Sequence, residues 1–218
     1  MRIHLKIQTE NRIIPFDHQS LLTGTIHKWL DWNDEHGKVS LYSFSRLEGG
    51  KAAKTGLRFE KQTSFFFSAH NPDLIKKLVA GIQTDNTMFN GLSVSEIILQ
   101  EDPDLTQREL FFVASPVLIK RKVDDRIDHI IYNDPRSNSC LKETLETKMN
   151  EAGINDDTFD VQFEKSYPKA GTKKITYNGI ENKASWCPVI IKGKPETKLF
   201  AWNVGLGNST GIGFGAIK

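Results

Sequence analysis

The alternation of apolar and polar residues at the N-terminus predicts the first secondary-structure element. In the run RIHLKIQT, residues 2–9, every second residue from Ile3 to Ile7 is apolar, and this period of two is typical of a half-buried strand. After a turn, apolar residues recur every three to four positions between Leu22 and Leu30. That spacing places them on one face of a helix.

This first helix is expected to begin at a cap on Asp17 or Ser20 and to end near Asn33. Four more elements follow before residue 101: strands over 41–47, 56–69 and 88–100, and a helix over 71–81 with Asn71 as its cap, Pro72 in its first position and Gly81 at its end. The segment 49–54 is expected to be a loop. The order β-α-β-β-α-β is that of the ferredoxin-like unit.

A polar break at 102–104 suits a domain boundary, and beyond it a similar order begins again. The apolar runs predict strands over 109–115, 160–168, 173–177, 186–192 and 213–218, helices over 139–152 and 198–204, and an irregular stretch or short hairpin over 120–136. The pattern therefore predicts an α+β fold of two tandem ferredoxin-like (βαββαβ) domains, 1–102 and 103–218, of which the second is degenerate. Only the order of elements supports the duplication.

Composition limits the possible classes of protein. The 38% hydrophobic residues, with 13 Phe, 4 Trp and 4 Tyr, argue against disorder, and no apolar run is long enough for a transmembrane helix. The net charge of +2 does not identify a nucleic-acid binder, but residues 165–198 hold eight lysines and two glutamates. Cys140 and Cys187 form neither a metal spacing nor a disulfide framework, so a cytoplasmic location is expected.

A glycine-rich segment, GLGNSTGIGFG at 205–215, is the most unusual feature of the sequence. Glycine permits positive φ and close backbone approach, so such a loop can present several N–H groups to phosphates. It lacks the Lys-Ser/Thr ending of a P-loop and follows a helix, which argues against a nucleotide site of either common type. A tight structural turn is the alternative interpretation.

His27, on the polar side of the first helix, and His36 and Lys38, just beyond it, are the candidate catalytic residues. Two imidazoles and an ammonium group supply what metal-free RNA cleavage needs: a base for the 2′-hydroxyl, an acid for the leaving 5′-oxygen and a cation for the phosphorane charge. Solvated surface histidines are the alternative, because histidine pairs are common. No spacing of carboxylates and histidines here indicates a metal site, and no cofactor is expected.

Taken together, these features resemble the CRISPR-associated endoribonucleases that process pre-crRNA, within the RAMP superfamily. Three runs carry the resemblance: the glycine-rich segment, FDHQ at 16–19 with LTGTIH at 22–27, and KVSLYSF at 38–44. The resemblance implies two ferredoxin-like domains, a catalytic group at His27, a histidine general acid or base at His36, and a lysine that stabilises the transition state. Lys38 fits that last position, and Lys51 or Lys54 is the alternative.

The resemblance implies site-specific cleavage of CRISPR repeat RNA, which leaves a 2′,3′-cyclic phosphate and a 5′-hydroxyl. The residues expected to bind the RNA are Lys51, Lys54, Lys173, Lys174, Gly205, Gly207, Gly211, Gly213 and Gly215. Possible further partners are a CRISPR effector complex and a second copy of the chain. Two rival functions are a non-catalytic RNA-binding subunit of such a complex and a metabolic ferredoxin-like domain that binds a small effector.

Overall fold

The computed structural model describes residues 1–31 and 39–218. The first half of the chain contains β1 (Arg2–Gln8), β2 (Ile13–Ile14), α1 (Gln19–Trp29), β3 (Tyr42–Phe44), β4 (Lys51–Ala53), β5 (Gly56–Arg58), β6 (Gln62–Ala69), α2 (Pro72–Thr84) and β7 (Ser93–Gln100). Four of these strands form an antiparallel sheet in the order β3-β6-β1-β7, which is the ferredoxin-like arrangement. The short strands β2, β5 and β4 form a separate small sheet.

The two helices pack against each other and help to enclose an apolar core. Trp29, at the end of α1, is 1% exposed and donates its indole N–H to the Asp85 carbonyl over 2.7 Å. Gly81 lies against the backbone of Trp29, where a Cβ would come within 2.1 Å of its carbonyl oxygen. The prediction that Gly81 ends α2 is therefore wrong, because this glycine allows the two helices to approach and α2 continues to Thr84.

Two other local predictions also need correction. The helix α1 begins after His18, and no side chain among the described residues caps it, so neither Asp17 nor Ser20 has the predicted role. The segment 49–54 contains strand β4, which pairs with β5. In contrast, the Asn71 side chain does accept a hydrogen bond from the Asp73 N–H, as the capping pattern predicts.

The second half repeats the arrangement with shorter strands and two inserted hairpins. It contains β8 (Leu110–Phe111), β9 (Lys120–Val123), β10 (Arg126–His129), α3 (Ser137–Glu151), β11 (Asp160–Phe163), β12 (Gly171–Tyr177), β13 (Ile180–Trp186), β14 (Val189–Lys192) and α4 (Pro195–Val204). The sheet order is β11-β14-β8. The C-terminal residues 216–218 take the place of the fourth strand beside β8, since Lys218 and Phe112 exchange backbone hydrogen bonds of 2.7 and 3.0 Å.

The tandem ferredoxin-like fold is thus confirmed, and each half has its own apolar core. Arg2 joins the two halves: its guanidinium lies between the rings of Phe66 and Trp202, 3.8 and 3.3 Å from their centroids. It also donates to the carbonyls of Trp202 and Ile217 over 2.7 and 2.9 Å. This buried contact holds the first strand of one half against the C-terminal segment of the other.

Candidate functional site

Three elements meet around His27, and we call this group the His27 cluster: His27, Tyr42 and the backbone of Gly211. His27 is half-buried near the C-terminal end of α1, and its Nε2 lies 3.3 Å from the Tyr42 hydroxyl. The same hydroxyl lies 3.3 Å from the Gly211 carbonyl oxygen, to which it donates. The cluster therefore joins a helix of the first domain, the strand that follows it and the glycine-rich loop of the second domain.

The glycine-rich loop is docked on α1 by further hydrogen bonds. The Gln19 side-chain amide donates to the Ile212 carbonyl over 2.7 Å, and the Thr23 hydroxyl lies 3.4 Å from the same oxygen. Tyr177, on the β12–β13 hairpin, contacts the same helix through a hydrogen bond to the Thr23 side chain. Burial raises the pKa of the Tyr177 phenol, and this hydrogen bond opposes the increase. The second domain thus contacts α1 one turn before His27.

A buried lysine supports the loop from the opposite side. Lys148, on α3, is 4% exposed and donates to the carbonyls of Val204 and Gly205 and to the Thr210 hydroxyl over 3.1–3.2 Å. Thr210 in turn lies 3.4 Å from the Ser40 carbonyl oxygen. Burial lowers the pKa of the Lys148 ammonium to about 7. A polar cavity of about 510 Å³ opens beside this chain of contacts.

Four of the five glycines of the loop have positive φ and lie in close packing. A Cβ on Gly215 would come within 1.8 Å of the Leu206 carbonyl oxygen, and one on Gly213 within 1.6 Å of the Gln19 side chain. The N–H groups of Gly205, Gly213 and Gly215 donate to carbonyls of the protein. These three N–H groups are therefore used in hydrogen bonds within the protein, as the tight-turn interpretation predicts.

Gly211 differs from the other glycines in the loop. Its φ is not in the left-handed region, and a Cβ there would meet the Ser40 and Tyr42 side-chain oxygens, at 2.4 and 2.9 Å. Gly207 has a φ of +73° and packs against the Leu118 carbonyl. The RNA-binding role assigned to all five glycines stays a prediction, and Gly211 is the one whose carbonyl accepts a hydrogen bond from Tyr42.

A groove runs between the two domains and combines cationic and aromatic side chains. We call it the domain groove, defined by Arg46, Phe112, Lys173, Trp186 and Lys218, which line a cavity of about 800 Å³. A second cavity of about 370 Å³, lined in part by His4 and Phe66 on the sheet of the first domain, shares Lys218 with it. Burial lowers the pKa of the Arg46 guanidinium.

The lysines predicted to bind RNA do not all lie together. Lys173 lines the domain groove. Lys174 is exposed on the same strand and pairs with Glu181 over 3.0 Å. Lys51 and Lys54 are exposed on the β4–β5 hairpin, where Lys51 pairs with Glu60 over 2.8 Å.

His36 and Lys38 lie outside the described residues, in the segment that connects α1 to β3. In the described ranges 1–31 and 39–218, no three His, Cys, Asp or Glu side chains are grouped as metal ligands would be. Within the same ranges, no helix is both long enough and apolar enough to span a membrane. Both cysteines are buried and unpaired.

Sequence reasoning assigned no role to Tyr42, Gln19, Arg46, Phe112 or Trp186. Tyr42 stands in the KVSLYSF run, but nothing in that run shows that its hydroxyl faces His27. The groove residues come from segments far apart in the chain, so only the packing of the two domains brings them together.

Two ferredoxin-like domains, with the glycine-rich loop docked on the first helix, are the arrangement that the resemblance to the RAMP superfamily implies. Residues 99–218, more than half of the chain, match the family model "CRISPR associated protein Cas6, C-terminal". The chain belongs to this Cas6 family. No curated protein sequence matches it.

Solved structures show the same fold over the whole chain. One described as "CRISPR associated protein Cas6" has a TM-score of 0.85 at 21% identity, covering 100% of this chain and 98% of that one. A Cas6-related protein from Pyrococcus furiosus has a TM-score of 0.85 at 20% identity, covering 100% and 97%. A third, described as "An RAMP protein binding different RNA substrates", has a TM-score of 0.85 at 19% identity, covering 100% and 98%.

Proposed function

We propose that this chain is a metal-independent endoribonuclease that cleaves CRISPR repeat RNA. In the proposed reaction a histidine removes the proton of a 2′-hydroxyl, and the new 2′-oxyanion forms a bond to the adjacent phosphorus. The bond from phosphorus to the 5′-oxygen breaks, and a second histidine gives that oxygen its proton. The products are a 2′,3′-cyclic phosphate and a 5′-hydroxyl, and no water or redox partner is consumed.

The observation that carries this proposal is the His27 cluster. It places an imidazole and the backbone of the glycine-rich loop each within hydrogen-bonding distance of the same phenol. Residues 32–38, with His36 and Lys38, connect the helix that bears His27 to the strand that bears Tyr42. His27 and His36 are proposed as the acid–base pair and Lys38 as the transition-state cation, with Lys51 or Lys54 as the alternative.

The domain groove supports an RNA substrate. Three cations in it, Arg46, Lys173 and Lys218, suit a phosphate backbone, and they outnumber the one carboxylate of the lining, Glu48, which pairs with Lys218 over 3.2 Å. Phe112 is 40% exposed and lies in the same cavity as Trp186, and exposed aromatic rings are the usual stacking surfaces for unpaired bases. An RNA whose repeat is single-stranded over part of its length fits this combination best.

The test is incubation of the protein with the repeat RNA of its own host in excess EDTA, followed by mapping of the fragment ends. We expect a single cut, a cyclic phosphate on the 5′ fragment and a 5′-hydroxyl on the 3′ fragment. Cleavage that disappears in EDTA and returns only with a divalent ion would contradict the proposed mechanism. The variant His27→Gln is the matched control for a contaminating nuclease, because it should bind the RNA and cleave it far more slowly.

A non-catalytic RNA-binding subunit is the second candidate function. It is favoured by the likeness to the structure described as an RAMP protein that binds different RNA substrates. This function predicts binding of the repeat RNA without cleavage under any of these conditions. Assembly with an effector complex, homodimer formation, the domain limits at 102 and 103 and a cytoplasmic location also stay predictions.

A further inference from the structure

The polar cavity of about 510 Å³ beside the glycine-rich loop has the size of a ligand pocket, and we call it the Lys148 cavity. Small-ligand pockets usually measure roughly 300–1,000 Å³. Its walls come from the segment before β3, the β9–β10 hairpin, α3 and the loop, and its defining residues are Ser40, Arg121, Thr147, Lys148, Asn208 and Thr210. All six side chains are polar, so the cavity suits a polar ligand of the size of one nucleotide.

Lys148 gives the cavity a buried positive charge with uncharged neighbours. The side chain is 4% exposed, and its three N–H donors contact two carbonyl oxygens and one hydroxyl oxygen. Burial alone lowers the pKa of this ammonium, and no carboxylate in the described part of the chain opposes that decrease. Because buried charges are normally paired with an opposite charge, an anion in the cavity would supply the missing partner and stabilise the charged ammonium.

Arg121 adds a second cation to the lining, with donors to spare. Its guanidinium donates to two backbone carbonyls and to Glu143 over 2.7–3.0 Å, which uses three of its five N–H groups. Glu143 is the one carboxylate of the lining and is paired with Arg121, so two cations, Arg121 and Lys148, face one carboxylate. The Asn208 side-chain oxygen accepts from the Lys120 N–H, which leaves the amide donors of Asn208 for a ligand.

The cavity adjoins the His27 cluster. Thr210, which lines it, precedes Gly211, whose carbonyl accepts from Tyr42. We propose that the Lys148 cavity binds a backbone phosphate of the RNA within two nucleotides of the cut, with Arg121 donating hydrogen bonds to the phosphate and Lys148 supplying positive charge beneath it. The position relative to the cut rests on the proposed ribonuclease function.

The first test asks whether Arg121 and one RNA phosphate act as a pair. Phosphates of the repeat RNA are replaced one at a time by uncharged methylphosphonates, each after a 2′-deoxy nucleotide, and the nucleotide at the cut is also 2′-deoxy so that only binding is measured. One replacement within two nucleotides of the cut should weaken binding to the wild type roughly 10- to 100-fold, the range of a hydrogen bond to a charged group. Arg121→Gln should bind the reference RNA, which has the same sugars and ordinary phosphates, with a similar loss, and it should lose nothing further on that one modified RNA.

Arg126→Gln is the matched control for Arg121→Gln. Arg126 is exposed on the same hairpin, pairs with Asp128 and is not among the residues that line the cavity. Its effect on affinity should be the same on the modified and the reference RNA. The proposal would be overturned if the losses from Arg121→Gln and the methylphosphonate added at every position, or if the two were coupled only at a phosphate farther from the cut.

The second test leaves both cations in place and measures protection of an introduced thiol. Both native cysteines are buried. Thr147 is exposed and lines the cavity, whereas its exposed neighbour Glu146 does not. RNA at about 10 times its Kd should slow maleimide modification of Thr147→Cys about 10-fold, because only the free protein reacts, and it should leave Glu146→Cys unaffected.

A mononucleotide at the same concentration distinguishes RNA from a free nucleotide as the occupant. It should not protect Thr147→Cys, because it lacks the other contacts of the RNA. Equal protection by the mononucleotide, or equal reactivity of the two thiols with RNA present, would contradict the proposal. If the wild type binds the repeat RNA without cleaving it, the proposed function fails, and these binding measurements still decide whether the cavity holds an RNA phosphate.

Discussion

The His27 cluster and the domain groove differ in how their side chains are held. In the cluster, Tyr42 is almost fully buried and joined to its neighbours by directed hydrogen bonds. In the groove, the Phe112 ring is 40% exposed, and the exposed Lys218 ammonium forms a surface ion pair with Glu48 over 3.2 Å, so both side chains are more accessible to a ligand than Tyr42 is. Fixed geometry suits a proton transfer, and adaptable charged and aromatic surface suits binding of a flexible polymer. Changes in the His27 cluster should therefore lower the cleavage rate, and changes in the domain groove should weaken RNA binding.

The largest effect is expected from the histidines. His36→Ala, and also His27→Ala, should lower the single-turnover cleavage rate by roughly 10²- to 10⁴-fold, the usual contribution of a general acid or base. The RNA dissociation constant should stay close to that of the wild type. Wild-type rates in both variants would show that the site is wrongly assigned.

The glycine-rich loop contains a matched pair of positions. Gly215→Ala should lower the free energy of unfolding by at least about 2 kcal/mol, because an L-residue at a φ of +69° is strained and its Cβ would meet the Leu206 carbonyl. The nearest atoms to a Cβ in Gly211→Ala belong to the side chains of Ser40 and Tyr42 and not to the backbone, so this variant should lower cleavage more than stability. Denaturant unfolding and cleavage assays on both variants check this contrast, and equal destabilisation by the two would argue against it.

A change in the domain groove should act on affinity. Phe112→Ala should weaken repeat RNA binding by about 1–3 kcal/mol, the range for loss of one stacked base, while saturating RNA restores the cleavage rate. Leu99→Ala is the control, since Leu99 is 61% exposed on β7 and is not among the residues that line the groove. Unchanged affinity in Phe112→Ala would remove this ring from the binding surface.

The smallest effect is expected at His18, outside both regions. His18 is 1% exposed, and burial lowers its pKa below the ordinary value of about 6.5. The unfolded chain therefore binds a proton at His18 more readily than the folded protein does. The free energy of unfolding should be highest above about pH 6.5, where His18 is neutral in both states, and should fall as the pH falls below that value. The slope from this one group is at most about 1.4 kcal/mol per pH unit. His18→Asn, whose amide can still donate to the Pro15 carbonyl, should lose less stability between about pH 7.5 and 5 in denaturant titrations. Parallel losses in both proteins would show that His18 does not titrate on unfolding.

The first half of the fold follows from local patterns that its tertiary contacts reinforce. The alternation in 2–9 and the cap at Asn71 are both present in the structure. The end of α2 could not be predicted, because the reason for Gly81 is a contact with Trp29 about fifty residues away. In the second half the sheet strands β8, β11 and β14 have only two to four residues, which is too short to leave a clear period. The sheet is complete only once the C-terminal residues have paired beside β8.

The candidate site was predictable only in part. His27 can be identified as a candidate from its residue type and its place on the polar side of the first helix. In the sequence, Tyr42 cannot be distinguished from any other buried strand residue, and only the folded structure shows its contact with the imidazole. Lys148 would be expected on a solvated helix face, and only the structure shows that carbonyls of the loop surround its ammonium. Site chemistry that depends on contacts between distant segments is not encoded in any local spacing.

The most direct test of the account uses repeat RNA with a single 2′-deoxy substitution at the nucleotide 5′ of the scissile phosphate. The substitution removes the nucleophile and leaves the phosphates and bases that provide most of the binding. We predict that the protein binds this RNA with the affinity of the unmodified repeat and does not cleave it. Cleavage of the deoxy RNA at the same phosphate would contradict attack by the 2′-hydroxyl, and with it the proposed role of the His27 cluster.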